Sequence, residues 1–171
     1  MQKSVLVEIV RSLSRKEVRD VFKWLQSPAH NQREDVVRLF EFLTKKLENE
    51  NPAIEKKRAW KSVFPGESYD DARIRQVMYF LLKSIEEYLV FEDHARDPVQ
   101  YHLTLARIYR ERKLDKAYRQ AHRMGGNHLE NQDLRNGYYL MHKFHLEEEE
   151  YYYRMGITQN APVNLQETAD A

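Results

Sequence analysis

Residues 64–92, FPGESYDDARIRQVMYFLLKSIEEYLVFE, constrain the fold more than any other stretch, because they read as a stop, a loop, a cap and then a long amphipathic helix. Pro65 and Gly66 end the preceding element: proline lacks a donor and fixes φ, and glycine accepts left-handed angles. Ser68, Asp70 and Asp71 can take the orphan N–H groups of a helix starting near Ala72, and the carboxylates suit the positive end of its dipole. Ile74, Val77, Met78, Leu81, Leu82, Ile85, Tyr88 and Leu89 then recur at spacings of three and four, so they fill one sector that must be buried. Tyr79, Phe80, Val90 and Phe91 fall outside that sector. This pattern makes the helix a central element, covered from more than one side.

The remaining punctuation is helical too. Leu6, Ile9, Val10 and Leu13 mark a short first helix over 3–13. Ser14 and Glu17 have the reciprocal capping spacing, opening a second helix that runs from Arg15 to about Gln26 and stops at Ser27-Pro28. Asn31 and Glu34 repeat that spacing ahead of a third helix ending near Glu48. Pro52 suits the first position of a fourth, with Ile54, Trp60, Val63 and Phe64 inward. After the polar connection 94–98, VQYHLTLARIYRER and LDKAYRQAHRM form a helix pair with a tight turn at Lys113. Its alanines, Ala106, Ala117 and Ala121, permit close approach. Gly125-Gly126 is expected to end the pair. A further helix is expected from about Leu129, marked by Leu134, Tyr138, Met141 and Phe144 or His145. The tail 158–171 has no apolar period and is expected to be mobile.

The expected fold is therefore all-α, with seven to nine helices in all: an N-terminal bundle over 1–93, then a helical-repeat-like segment over 94–157 packed on it. With 171 residues, 42% hydrophobic and 12% aromatic, the chain can bury a real core. It has no cysteine, which excludes disulfides and thiolate metal sites and fits a cytoplasmic protein. The first twenty residues break any secretion-type apolar run, and no stretch reaches membrane-span length.

Catalytic motifs are missing. There is no GxSxG elbow, glycine-rich phosphate loop or HExxH arrangement. His142, His145 and Glu149 have helical spacing that could present two imidazoles and a carboxylate on one face, but no second helix supplies a recognisable partner set. The expectation is no enzyme, no metal and no cofactor. Charge is distributed unevenly despite a net charge of +1. Between Arg107 and Arg123 there are seven basic residues against two acidic ones, and Lys56, Lys57, Arg58 and Lys61 form a second cluster. Tyr151-Tyr152-Tyr153 cannot all point into one helix face, so at least one is expected to be exposed or to cover a neighbouring chain.

Two family resemblances follow from these segments. LSRKEVRDVFKWLQSPAHNQREDVVRLFEFL, WKSVFPGESYDDARIRQVMYFLLKSIEEYL and YLMHKFHLEEEEYYYRM together resemble the opening part of a family of uncharacterised, largely helical bacterial proteins of greater length. That resemblance implies architecture, and a chain short for its kind, but no mechanism. Residues 60–89 alone are similar to the last two helices of the winged-helix domain in bacterial transcriptional activators that carry a helical-repeat domain. It implies that Arg73, Arg75, Gln76 and Tyr79 lie near DNA, although Val90–Pro98 lacks the hairpin signal of a wing. Leu105, Ala106, Tyr109 and Ala117 likewise resemble one tetratricopeptide-type hairpin, without a second copy.

The function expected first is a non-enzymatic protein–protein interaction or scaffold module, with a protein partner or self-association and no membrane. Its candidate partner surface is Tyr138, Tyr139, Tyr151, Tyr152 and Tyr153. The alternative is a nucleic-acid-binding regulator using a helix-loop-helix over 53–92. Its candidate contacts are Lys56, Lys57, Arg58, Lys61, Arg73, Arg75, Gln76, Arg112 and Lys113.

Overall fold

A computed structural model of the chain describes residues 4–47 and 54–160, with side chains as far as residue 156. Among the described residues there are eight α-helices and no strand. The chain divides into two compact units, Met1–Phe91 and Glu92–Ala171.

The first unit holds α1 (Val5–Ser12), α2 (Arg15–Gln26), α3 (Glu34–Leu47), α4 (Lys56–Val63) and all but the last turn of α5 (Asp71–Arg96). The α2 capping box forms as its spacing predicts: Glu17 N–H donates to Ser14 Oγ, and Ser14 N–H donates to Glu17 Oε2 at 2.8 Å. The second box does not form. Asn31 Oδ1 accepts from Arg33 N–H, and Asn31 Nδ2 donates to the Leu25 carbonyl at 2.8 Å, so its side chain ties the loop to the end of α2. Glu34 instead pairs with Arg38. The expected start of α4 at Pro52 lies outside the described residues; Glu55 occupies its N-cap.

Asp70 Oδ1 accepts from the N–H groups of Ala72 and Arg73, capping α5 as expected. Ile74, Val77, Leu81 and Ile85 are fully buried beside Val36, Leu39, Phe40 and Leu43 of α3 in one core. Each such side chain contributes about 1.5–3 kcal/mol through burial. The closest backbone approaches, however, converge on α3, which is met by α1, α2 and α4. Tyr79, Val90 and Phe91 are exposed, although the Phe91 ring lies 5.2 Å from that of Trp24, so the second covered side expected for α5 is present only in part. Phe80 is half-buried under the Arg33 guanidinium. Large side chains, rather than close backbone approach, hold α5 to the core.

The second unit holds α6 (Pro98–Glu111), α7 (Asp115–Glu130) and α8 (Gly137–Asn160). Asp97 caps α6 by accepting from Val99 and Gln100 N–H. α6 and α7 form a tight antiparallel hairpin whose turn places Lys113 at φ 57°, with Ala106 and Ala121 buried between the helices.

Two expectations fail here. Gly125-Gly126 does not end α7, which continues to Glu130, because Gly125 is a packing position: a Cβ there would stand 3.2 Å from Leu146 Cδ2 and 3.4 Å from His102 Cβ. The last helix consequently starts at Gly137 rather than Leu129 and runs to Asn160, three residues into the expected tail; residues 161–171 lie outside those described. No helix among the described residues is long and apolar enough to cross a membrane.

Candidate interaction surface

Asn136 starts α8, its Oδ1 accepting from Tyr139 N–H at 3.1 Å. From there Tyr139, His142, Leu146, Glu149 and Tyr153 alternate at spacings of three and four, and this seam packs against α6 and α7. Leu146 joins Val99, Leu103 and Leu129, and its carbonyl accepts from His122 Nε2 at 2.9 Å. His142 is buried with Nε2 3.3 Å from Asp97 Oδ2. Glu149 receives Arg110 Nε at 2.6 Å and Arg110 Nη2 at 3.2 Å. Its carbonyl accepts from Tyr118 O–H, whose ring stacks on Tyr153 at 3.8 Å. Burial and the nearby Glu149 charge push the Tyr118 pKa well above its ordinary value, so the phenol stays a donor. The inner face of α8 is thus fixed by polar anchors around one leucine.

This arrangement separates His142, His145 and Glu149. His142 faces Asp97, His145 Nδ1 lies 3.4 Å from Glu148 on the same helix, and Glu149 faces Arg110. Among the described residues, no group of three ligating side chains converges.

A second seam lies on the opposite side. Met141, Phe144, Glu148, Tyr151 and Met155 also alternate at three and four, and at ~100° per residue they sit about half a turn from the inner seam. Together with Tyr138, Leu140 and Tyr152 the apolar members are 41–71% exposed. From Tyr138 to Met155 the strip extends about 25 Å at 1.5 Å per residue. A contiguous exposed apolar strip of this kind marks a candidate interaction face.

Of the five tyrosines expected at a partner surface, Tyr138, Tyr151 and Tyr152 lie on this outer side. Tyr153 belongs to the inner face, and Tyr139 is half-buried with the Arg135 guanidinium 4.1 Å above its ring. Met141 and Phe144, expected as the inward markers of the helix, are exposed. The inner seam is carried partly by His142 and Glu149, which a hydrophobic period does not register; the outer seam's three-four spacing was the signal available.

The basic residues are placed differently. Lys56 and Arg75 both pair with Asp71, which also accepts from Tyr69 O–H at 2.7 Å. The Tyr69 hydrogen bond, then that of Lys56, lowers the Asp71 pKa to about 2. Arg58 pairs with Glu55, and Arg73 pairs with Glu67 while its guanidinium lies 3.9 Å over the Phe64 ring. Lys57, Lys61 and Gln76 are exposed. Arg112 and Lys113 sit exposed at the α6–α7 turn, in the other unit. The first unit also has an open cleft of about 780 Å³ lined by Val10, Leu13, Val18 and Leu47 with Arg11, Arg15 and Arg19.

Compared with family models, with curated proteins and with solved structures, the chain has no match.

Proposed function

We propose that this protein is a non-enzymatic interaction module whose working surface is the outer face of α8. The observation that carries the reading is the doubled seam: the inner seam of α8 is covered, held by Leu146 and polar anchors, while the outer one is largely apolar and uncovered among the described residues. The inner face's polar anchors hold the helix rigidly, so the outer side chains are presented in a fixed register, which lowers the ordering cost of binding. The α6–α7 hairpin with α8 behind it is tetratricopeptide-like in arrangement, and such helical layers serve as docking surfaces. The resemblance to largely helical bacterial proteins fits the same reading, as does a cytoplasmic setting.

The alternative, a nucleic-acid-binding regulator, is favoured by the exposed Lys57 and Lys61 but weakened by the acidic partners of Lys56, Arg58, Arg73 and Arg75. Photo-crosslinking in cells separates the two. A benzoylphenylalanine at Phe144 or Tyr151 is expected to give a discrete protein adduct, whereas one at Lys83, on α5, is expected to give none. Absence of any adduct from α8, with salt-sensitive binding of random duplex DNA that Lys57→Ala and Lys61→Ala weaken, would overturn the module reading.

A further inference from the structure

The partner of the outer seam follows from the charges that flank it. Taking Met141, Glu148 and Met155 as one set of seam positions and Phe144 and Tyr151 as the other, the residues beside them on one flank are Leu140, Glu147 and Arg154, and on the other Tyr138, His145 and Tyr152. A parallel copy of α8 would set Glu148 against Glu148 inside the seam, a desolvated like-charge contact. Reversing the second copy removes that contact. In the antiparallel register that layers Glu148 on the partner's Tyr151, Phe144 also layers on the partner's Met155, and each contact occurs twice by two-fold symmetry. The same register aligns the flanks: Glu147 meets the partner's Arg154, and His145 meets the partner's Tyr152. Apolar layers, the lone acidic seam residue and the flanking charges all agree on one arrangement.

Resting on the module reading above, we propose that α8 is a self-recognition helix: two copies of this chain associate through the outer faces of their α8 helices, antiparallel, with Phe144 and Met155 as the apolar anchors and two Glu147–Arg154 pairs fixing the register. Glu147 and Arg154 make intrahelical contacts within one chain, to Lys143 at 3.9 Å and to Glu150. Both are compatible with the intermolecular pair, since a guanidinium carries five donors and a carboxylate accepts from several. Glu148, which lies 3.4 Å from His145 on its own helix, accepts in addition from the phenol of the partner's Tyr151. The acid in the seam thereby specifies orientation, as single polar seam residues do in coiled coils.

Sedimentation velocity on the full chain, over a concentration series from low to high micromolar, tests this. The chain is expected to shift from monomer to dimer, and Phe144→Ala to weaken association at least tenfold while far-UV circular dichroism and thermal unfolding of the dilute monomer stay the same. Glu147→Arg alone and Arg154→Glu alone are each expected to weaken self-association, because each sets like charges at both symmetric contacts. Mixing those two variants is expected to restore a mixed dimer, since the Glu147→Arg position of one chain then faces the Arg154→Glu position of the other with opposite charge; Glu147→Arg with Arg154→Glu in one chain is expected to dimerise again. A chain that stays monomeric throughout overturns the inference. So does a dimer insensitive to Phe144→Ala, or one that mixing the two charge variants does not restore. If the chain is monomeric yet a Phe144 crosslink gives an adduct of a mass other than twice the chain, self-recognition fails and the module reading stands; if no α8 site crosslinks, both fail.

Discussion

Arg110 and Glu149 meet where α8 leans on α6, and the pair shows how much of the second unit depends on single polar contacts. The Glu149 side chain is 9% exposed and that of Arg110 is 26% exposed, so the carboxylate relies on its two guanidinium hydrogen bonds for the solvation it has lost. Removing the arginine leaves a buried charge. Breaking a fully buried pair costs about 3–5 kcal/mol; because Arg110 keeps some contact with water, Arg110→Ala is expected to cost roughly 2–3 kcal/mol. Combining Arg110→Met with Glu149→Met is expected to recover most of that loss, since a well-packed apolar pair does without desolvated charge. Urea midpoints followed by far-UV circular dichroism check both, and an Arg110→Ala loss under about 0.5 kcal/mol would mean that Glu149 is solvated after all. At this scale the sequence is least legible. Glu149 looks like one member of an acidic run from Glu147 to Glu150, and only its packing distinguishes it from its neighbours.

At the scale of elements, boundaries set by a local cap were easier to read than boundaries set by tertiary contact. The Ser14–Glu17 box and the Asp70 cap are local: the donor, the acceptor and the spacing all lie within four residues. The end of α7 is different, because a Gly-Gly pair lowers helix propensity by only about 1 kcal/mol per glycine, which tertiary contact can override. The two glycines therefore predict opposite behaviour. Around Gly126 there is no heavy atom within 4 Å of a built Cβ, so Gly126→Ala is expected to stabilise by about 0.5–1 kcal/mol. At Gly125 a Cβ meets Leu146 at 3.2 Å, so Gly125→Ala gains less and Gly125→Val is expected to destabilise by about 1–3 kcal/mol. Thermal melts of the three variants give the order Gly126→Ala, Gly125→Ala, Gly125→Val from most to least stable. An equal gain for both alanines would show that α6 and α8 do not approach α7 as closely as described. The outer seam of α8 belongs at this scale also. Its spacing was legible, but which of two seams faced inward depended on His142 and Glu149 finding partners at the N-cap of α6 and on α6 itself.

Over the whole molecule the two units differ in what holds them. Among the described residues, the first closes around nineteen buried side chains in one cluster, whereas the second has two small clusters, four residues around Val99 and Leu146 and three around Ala106 and Tyr118, joined by polar contacts. The all-helical class was legible throughout, because every stretch with a period had the helical one. This inequality was not, since it arises from which faces find partners. The second unit should open first, and it should be the one that mild acid, down to about pH 5.5, weakens. Burial, and secondarily the neighbouring His128, lowers the His102 pKa; its Nδ1 is buried without a hydrogen-bond partner and its ring stacks on His128 at 5.2 Å. The unfolded chain takes up that proton near pH ~6.5 and the folded chain at lower pH. Stability from neutral His102 is therefore present above that value and is lost as pH falls from there toward the folded pKa. Both tryptophans, Trp24 and Trp60, lie in the first unit, which supplies a selective probe. In urea, far-UV circular dichroism is expected to show a transition at lower denaturant than tryptophan fluorescence does. Lowering the pH from about 7.5 to about 5.5 is expected to move that early transition down, and His102→Gln is expected to reduce the movement. Coincident transitions at both pH values would mean that the seven described apolar core residues of the second unit, with their polar anchors, are as well secured as the nineteen of the first. Polar anchoring would then rival hydrophobic burial in this fold.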